Sequence, residues 1–165
     1  MKNHFLKLYI YLTLIISLFL QIILTKNSNI IFHISFLLLT LIYWLLEYPY
    51  IINITTGFFL GLTIDLFTNN ILGIYSLMLS VLTYFLLSNY KLIINFNIIY
   101  KMLFITCILY IINMIIYSLN SVEFNYCNLF LQSIFNGLIW VIIYFCFKKI
   151  NFICKDFPNK RKNIL

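Results

Sequence analysis

Inside the long apolar runs of this chain, few residues could move a proton, attack a carbonyl or hold a metal, and Asp65 is the foremost of them. It closes the run Gly57-Phe58-Phe59-Leu60-Gly61-Leu62-Thr63-Ile64-Asp65. Intramembrane aspartyl chemistry needs two carboxylates that share a proton. The other acids are Glu47, Glu123 and Asp156, and none of them supplies a second carboxylate within a run. Away from the ends of the runs, no Lys or His accompanies the Ser and Thr residues to activate them as nucleophiles. A proton relay would also want more than one buried ionisable group. Cys107, Cys127, Cys146 and Cys154 form no CxxC pair, and His4 and His33 lie apart, so neither a metal site nor thiol redox chemistry is expected. The chain is expected to be non-enzymatic, without cofactor or metal.

Asp65 therefore asks for a structural explanation. Gly57, Gly61 and Asp65 recur every four residues and share one face of a helix. Gly57 and Gly61 form a GxxxG, which lets a second helix approach the backbone closely. A carboxylate at a helix C-terminus opposes the macrodipole, so a partner is expected to offset it. Asp65 is predicted to accept hydrogen bonds from the turn at Asn69-Asn70 or from the start of the next helix near Gly73, tying two segments into a hairpin. The plain alternative is a solvated carboxylate at the water interface. Asn113 and the run Asn136-Gly137-Leu138-Ile139-Trp140 are further polar or small marks, read as contacts between helices.

The elements that would position these residues are membrane spans. Of 165 residues, 64% are apolar and 9% charged, and the mean hydropathy is +1.02; a soluble domain carries about 25% charged residues. The absence of Ala, the single Arg and the abundance of Ile, Asn, Lys, Phe and Tyr point to an AT-rich genome, which inflates Ile and Phe. Lys is the control: codon drift should scatter it evenly. Between Asn27 and Tyr90 the only charged residues are Glu47 and Asp65, and between Lys101 and Lys148 there is only Glu123. A charge at the bilayer centre costs about 2.5–3.5 kcal/mol on insertion scales, which accounts for that exclusion.

Six apolar segments separate: about 8–24, 30–46, 51–67, 71–87, 98–119 and 129–147. Their lengths, and the lack of strict period-2 alternation, predict an all-α membrane protein with six transmembrane helices in a single domain. The segment ends coincide with breakers: Thr25–Asn29, Pro49, Asn69-Asn70, the polar stretch 88–97 and the loop 120–128. The first segment lacks an A-x-A-like site and reads as a retained signal anchor. With both ends inside, Lys2, Lys7, Lys91, Lys101 and the basic tail 148–165 lie on the cytoplasmic side and Lys26 alone lies outside, as the positive-inside rule requires. Tyr43, Trp44, Tyr48 and Tyr50 are then expected in an aromatic belt at the inner interface. The net charge of +7 belongs to that asymmetry and to contact with membrane lipids; a short basic tail does not make a nucleic-acid binder.

The run Gly57–Leu66, followed by Leu72-Gly73 and then Tyr84-Phe85-Leu86-Leu87, resembles the signature of the MreD family of bacterial rod shape-determining membrane proteins, G-x3-G-L-x2-D-L, a short turn, L-G, an apolar helix and Y-L. Leu20-Gln21, Tyr43-Trp44 with Pro49, and Asn136-Gly137 with Trp140 extend the resemblance to nearly the whole chain. Two departures are Phe32-His33-Ile34-Ser35, where many members carry Pro at the entrance to the second span, and Val141, where some carry Pro after the Trp. The resemblance implies a non-enzymatic component of the cell-elongation complex in the inner membrane. Its implied partners are MreC and, through it, MreB, RodA and the elongation transpeptidase, and its implied role is to guide lateral peptidoglycan synthesis. Gly57, Gly61, Asp65 and Gly73 are expected at the structural centre of that role. The resemblance also implies a helix layout similar to the substrate-binding subunits of energy-coupling-factor vitamin transporters. Such a subunit is the main alternative; these proteins tend to dock their partner with Ala-x3-Ala on the first helix, and Thr13-x3-Ser17 is the nearest spacing here. Lipoprotein signal peptidase, with four spans and an Asp pair, fits less well.

Overall fold

A computed structural model describes the backbone of residues 2–26, 35–68, 71–119 and 125–160, and among these residues the regular structure is entirely helical. The helices are α1 (Lys2–Lys26), α2 (Phe36–Glu47), α3 (Ile54–Thr68), α4 (Ile74–Ile94), α5 (Ile98–Leu119) and α6 (Tyr126–Lys160). Six helices are thus present, but they are unequal. Four of them, α1, α4, α5 and α6, contain apolar stretches long enough to cross a membrane. The 12 residues of α2 and the 15 of α3 rise only about 18 and 22 Å at 1.5 Å per residue, short of a hydrocarbon core of about 30 Å. The six expected helices are found among the described residues, and length and composition by themselves qualify four of them as crossings. Residues 30–34, assigned by sequence to the second span, lie outside the described residues, as do Asn69-Asn70 and residues 120–124 with Glu123.

The helix ends follow local chemistry. After α2, the Ile51 N–H donates to the Tyr48 carbonyl at 3.1 Å, a turn with Pro49 at its second position, where a fixed φ is favoured. The Asn53 carbonyl then accepts the first bonds of α3, from Thr56 and Gly57, so residues 51–53 belong to the turn rather than to a span. The polar stretch after position 87 does not end α4, because Ser88 and Asn89 both bond back to the Phe85 carbonyl, each at 3.0 Å, and the helix runs on to Ile94. A three-residue turn, 95–97, leads into α5, and the Lys101 ammonium donates to the Ile94 carbonyl at 2.9 Å, supplying a cation where the macrodipole of α4 favours one. The α6 helix begins three residues before its expected span, with the Asn125 side chain accepting from the Cys127 N–H. It does not stop at Phe147: the first part of the basic tail, residues 148–160, continues its backbone.

The short α2 sits at the centre. Every residue from Leu37 to Leu46 is buried, against α1, α4 and α6. Apolar on all sides, it is a core helix by composition. This overturns one expectation. Tyr43 and Trp44 are not in an interfacial belt: they are 2% and 0% exposed. Trp44 meets Tyr9 edge-on at 5.7 Å and lies 5.4 Å from Phe147, and Tyr43 stacks on Phe147 at 5.2 Å. A Trp sits at the interface when its N–H needs water, and this one finds a protein acceptor instead. Tyr50, by contrast, is exposed and bonds to the Tyr90 hydroxyl.

Candidate functional site

The Asp65 carboxylate is 1% exposed and accepts three backbone N–H groups from the start of α4. Oδ2 takes the Gly73 N–H at 3.0 Å and that of Ser76 at 3.2 Å, and Oδ1 takes that of Tyr75 at 3.1 Å. The arrangement follows from what a helix start lacks. Its first N–H groups have no partner in the helix, and the residue at the cap position is Gly73, which has no side chain to offer. Ile74 is served by the Ile71 carbonyl; Asp65, carried by the previous helix, serves the rest. The negative charge also faces the positive end of the α4 macrodipole, which offsets its unfavourable place in the last turns of α3.

The same face of α3 is notched for α4. A Cβ on Gly61 would lie 2.6 Å from both the Ser76 nitrogen and the Tyr75 carbonyl oxygen and would overlap the Ser76 Cα. A Cβ on Gly57 would meet Thr83 Cγ2 at 2.7 Å and the Leu79 carbonyl oxygen at 3.1 Å. Gly73 needs its glycine for another reason. Its φ is +104°, with no atom within 4 Å of an added Cβ, so conformation and not space excludes a side chain there. The stripe of Gly57, Gly61 and Asp65 is buried and thus seats another helix of the same chain, with the half-buried Gly73 completing the turn.

Sequence reasoning missed a second polar seam, between α1 and α2. Thr13, Ser17 and Gln21 recur every four residues along α1. The Trp44 Nε1–H donates to Thr13 Oγ1 at 2.9 Å, the Thr40 hydroxyl to Ser17 Oγ at 2.9 Å, and the Leu37 N–H to Gln21 Oε1 at 3.4 Å. Leu37 lies in the first turn of α2, so Gln21 serves one leading amide of α2, where Asp65 serves three at the start of α4. The signal was in the period-four spacing of Thr13, Ser17 and Gln21. The Thr13-x3-Ser17 spacing, weighed as a docking stripe for an external partner, is occupied by α2.

The remaining sequence-marked residues lie in α5 (Asn113) and in α6 (Asn136, Gly137 and Trp140). Asn136 and Trp140 are both fully buried. A Cβ on Gly137 would collide with the Thr106 methyl group, so this glycine lets α5 and α6 approach. Trp140 lies 5.4 Å from the Tyr144 ring, and its Nε1 and the Asn113 Nδ2 are buried without a hydrogen-bond partner. These residues do not join the Asp65 cluster: the marked positions form two separate packing centres, α3/α4 and α5/α6. Among the described residues, no three His, Cys, Asp or Glu side chains gather in one place. What the geometry does is hold helices together.

The sequence model of the family described as rod shape-determining protein MreD matches residues 2–150. Rod shape-determining protein MreD of Haemophilus influenzae is 31% identical over 120 residues, which cover 70% of this chain and 74% of that one. No solved structure matches.

Proposed function

This chain belongs to the MreD family, membrane proteins of rod-shape determination, and from that membership we propose that it is a non-enzymatic membrane component of the cell-elongation complex. In this proposal it lies in the bacterial inner membrane with both ends cytoplasmic. It binds MreC and, through MreC, associates with MreB, RodA and the elongation transpeptidase to direct lateral peptidoglycan synthesis. Gly57, Gly61, Asp65 and Gly73 keep the α3–α4 pair in the shape the complex uses, and Asn136, Gly137 and Trp140 do the same for α5–α6. A helix layout like that of energy-coupling-factor substrate-binding subunits belongs to the same proposal.

The family match across residues 2–150 carries this reading. The site geometry supports it, because the marked residues are spent on internal packing. The occupation of Thr13 and Ser17 by α2 weighs against the vitamin-transporter alternative. The deciding experiment is co-isolation of the full chain with tagged MreC in detergent. Retention of MreC by the wild type supports the proposal. Failure to retain it, or a vitamin copurifying with the chain in its place, overturns it.

A further inference from the structure

Exposed side chains in the middle of the spans are mostly those that hydrocarbon accepts. On α1, α5 and α6 they are Leu, Ile, Phe or Cys, and Tyr11, nearer the start of α1, reaches the Ile51 carbonyl at 3.3 Å. One face of α4 differs. Ser80, Tyr84 and Ser88 recur every four residues and share that face; Ser80 is half-buried and the other two are exposed. Tyr84 opens the stretch Tyr84-Phe85-Leu86-Leu87 that carries the family resemblance, and it is 62% exposed. It is also the middle residue of the span Ile74–Ile94, about 15 Å of rise from either end. Helical side chains lean toward the N-terminus of their own helix, so the ring tips away from Ser88 and Lys91, the polar end of α4. The Ser80 and Ser88 hydroxyls donate to the Leu77 and Phe85 carbonyls at 2.8 and 3.0 Å. Among the described residues, the Tyr84 hydroxyl meets no hydrogen-bond partner.

We propose that this face of α4 is covered by a membrane-spanning helix of a partner protein, whose polar side chain at mid-membrane hydrogen-bonds the Tyr84 hydroxyl. The inference deepens the function proposed above and rests on it: MreC is the partner, and Ser80, Tyr84 and Ser88 mark where its spanning helix lies. Acyl chains offer a phenol hydroxyl neither donor nor acceptor, and a hydroxyl left unpaired in such a medium is costly. A second helix supplies what lipid lacks, since Ser, Thr, Asn, Gln and His side chains bond across transmembrane helices. Ser80 and Ser88, one turn to either side of Tyr84, are small and keep their own protons on the α4 backbone, so another helix can come close beside the ring. The partner is therefore recognised by one hydrogen bond at the centre of the bilayer, flanked by shallow positions above and below it.

The test co-reconstitutes the full chain with tagged MreC in phosphatidylethanolamine–phosphatidylglycerol vesicles. The photo-crosslinker p-benzoylphenylalanine replaces Tyr84 or, as references on other faces, Phe19 of α1 or Ile142 of α6, which are 60% and 63% exposed. A several-fold excess of MreC adducts at position 84 is expected. Tyr84→Phe removes the hydroxyl alone and should weaken MreC binding roughly three- to twenty-fold, the range of hydrogen bonds between transmembrane helices. It should leave the thermal midpoint of the isolated chain unchanged. Equal adducts at the three positions, adducts joining two copies of this chain, a lowered midpoint, or Tyr84→Phe binding as tight as wild type overturns the proposal and leaves the proposed function standing. A wild-type chain that does not bind MreC removes both. If the crosslinking variant does not fold, Tyr84→Phe alone decides.

Discussion

The Ser76 backbone occupies the space a side chain on Gly61 would need: Ser76 N lies 2.6 Å from the position of an added Cβ, while that same N–H is held at 3.2 Å by Asp65. Notch and acceptor act on one residue. Gly61→Ala therefore meets backbone that Asp65 prevents from retreating, whereas Gly57→Ala meets chiefly the Thr83 side chain, which can turn. Overpacking costs about 1–3 kcal/mol; Gly61→Ala is expected at or beyond the top of that range and Gly57→Ala near the bottom. Thermal midpoints of the two variants in detergent check the order.

Asp65→Asn keeps one acceptor oxygen and turns the other into a donor facing donors, so at least one N–H of α4 loses its partner. A hydrogen bond to a charged group contributes about 1.5–3 kcal/mol, and a loss of that size is expected. Asp65→Leu, which removes both acceptors, should cost more. The midpoint of each variant is compared with rod morphology in cells depleted of the native protein, where the more destabilised variant should give the rounder cells.

Gly73→Ala separates conformation from space. Nothing lies within 4 Å of the added methyl group, yet φ is +104°. The expected cost is about 1–2 kcal/mol, the penalty for a left-handed L-residue. Gly73→Asn should recover part of it, because Asn visits that region more readily. Equal midpoints for wild type and Gly73→Ala would refute the assignment.

The Trp44–Thr13 bond joins helices 31 positions apart in sequence. Hydrogen bonds between transmembrane helices average about 0.6 kcal/mol, so Trp44→Phe should be mild. Trp44→Ala, which empties a fully buried site, should cost about 3–5 kcal/mol. A double-mutant cycle of Trp44→Phe with Thr13→Val measures the bond itself; zero coupling would remove Thr13 as the partner.

The proposed topology places Cys127 and the C-terminus on opposite sides of the membrane. Cys127 is exposed and should react with an impermeant maleimide in spheroplasts, while a fluorescent protein fused after Leu165 should fluoresce in the cytoplasm. A dark fusion together with an unreactive Cys127 would invert the orientation.

Much of this arrangement is legible in the order of residues. The period-four stripe of Gly57, Gly61 and Asp65 and the lone carboxylate in an apolar run point together to a buried acceptor beside a notched helix, since few other arrangements tolerate either feature. The fifth helix starts at its expected Ile98, because the polar Asn95 and Asn97 precede it. Trp44 is not legible: an aromatic pair beside Pro49 looks the same whether it faces headgroups or a Thr from a distant helix. Nor is the end of α4. Ser88 and Asn89 read as a break, but each can return its polar atoms to the Phe85 carbonyl and let the helix proceed. The start of α3 depends on how much of its apolar run the preceding turn absorbs, as at residues 51–53, and hydropathy does not register that.

The two borrowed caps bear on how the chain enters the bilayer. Asp65 accepts three of the leading amides at the start of α4 and Gln21 accepts one of α2, so those amides meet these acceptors only once the preceding helix is alongside. Vectorial insertion would then proceed by hairpins, α1 with α2 and α3 with α4, each leaving the translocon as a unit.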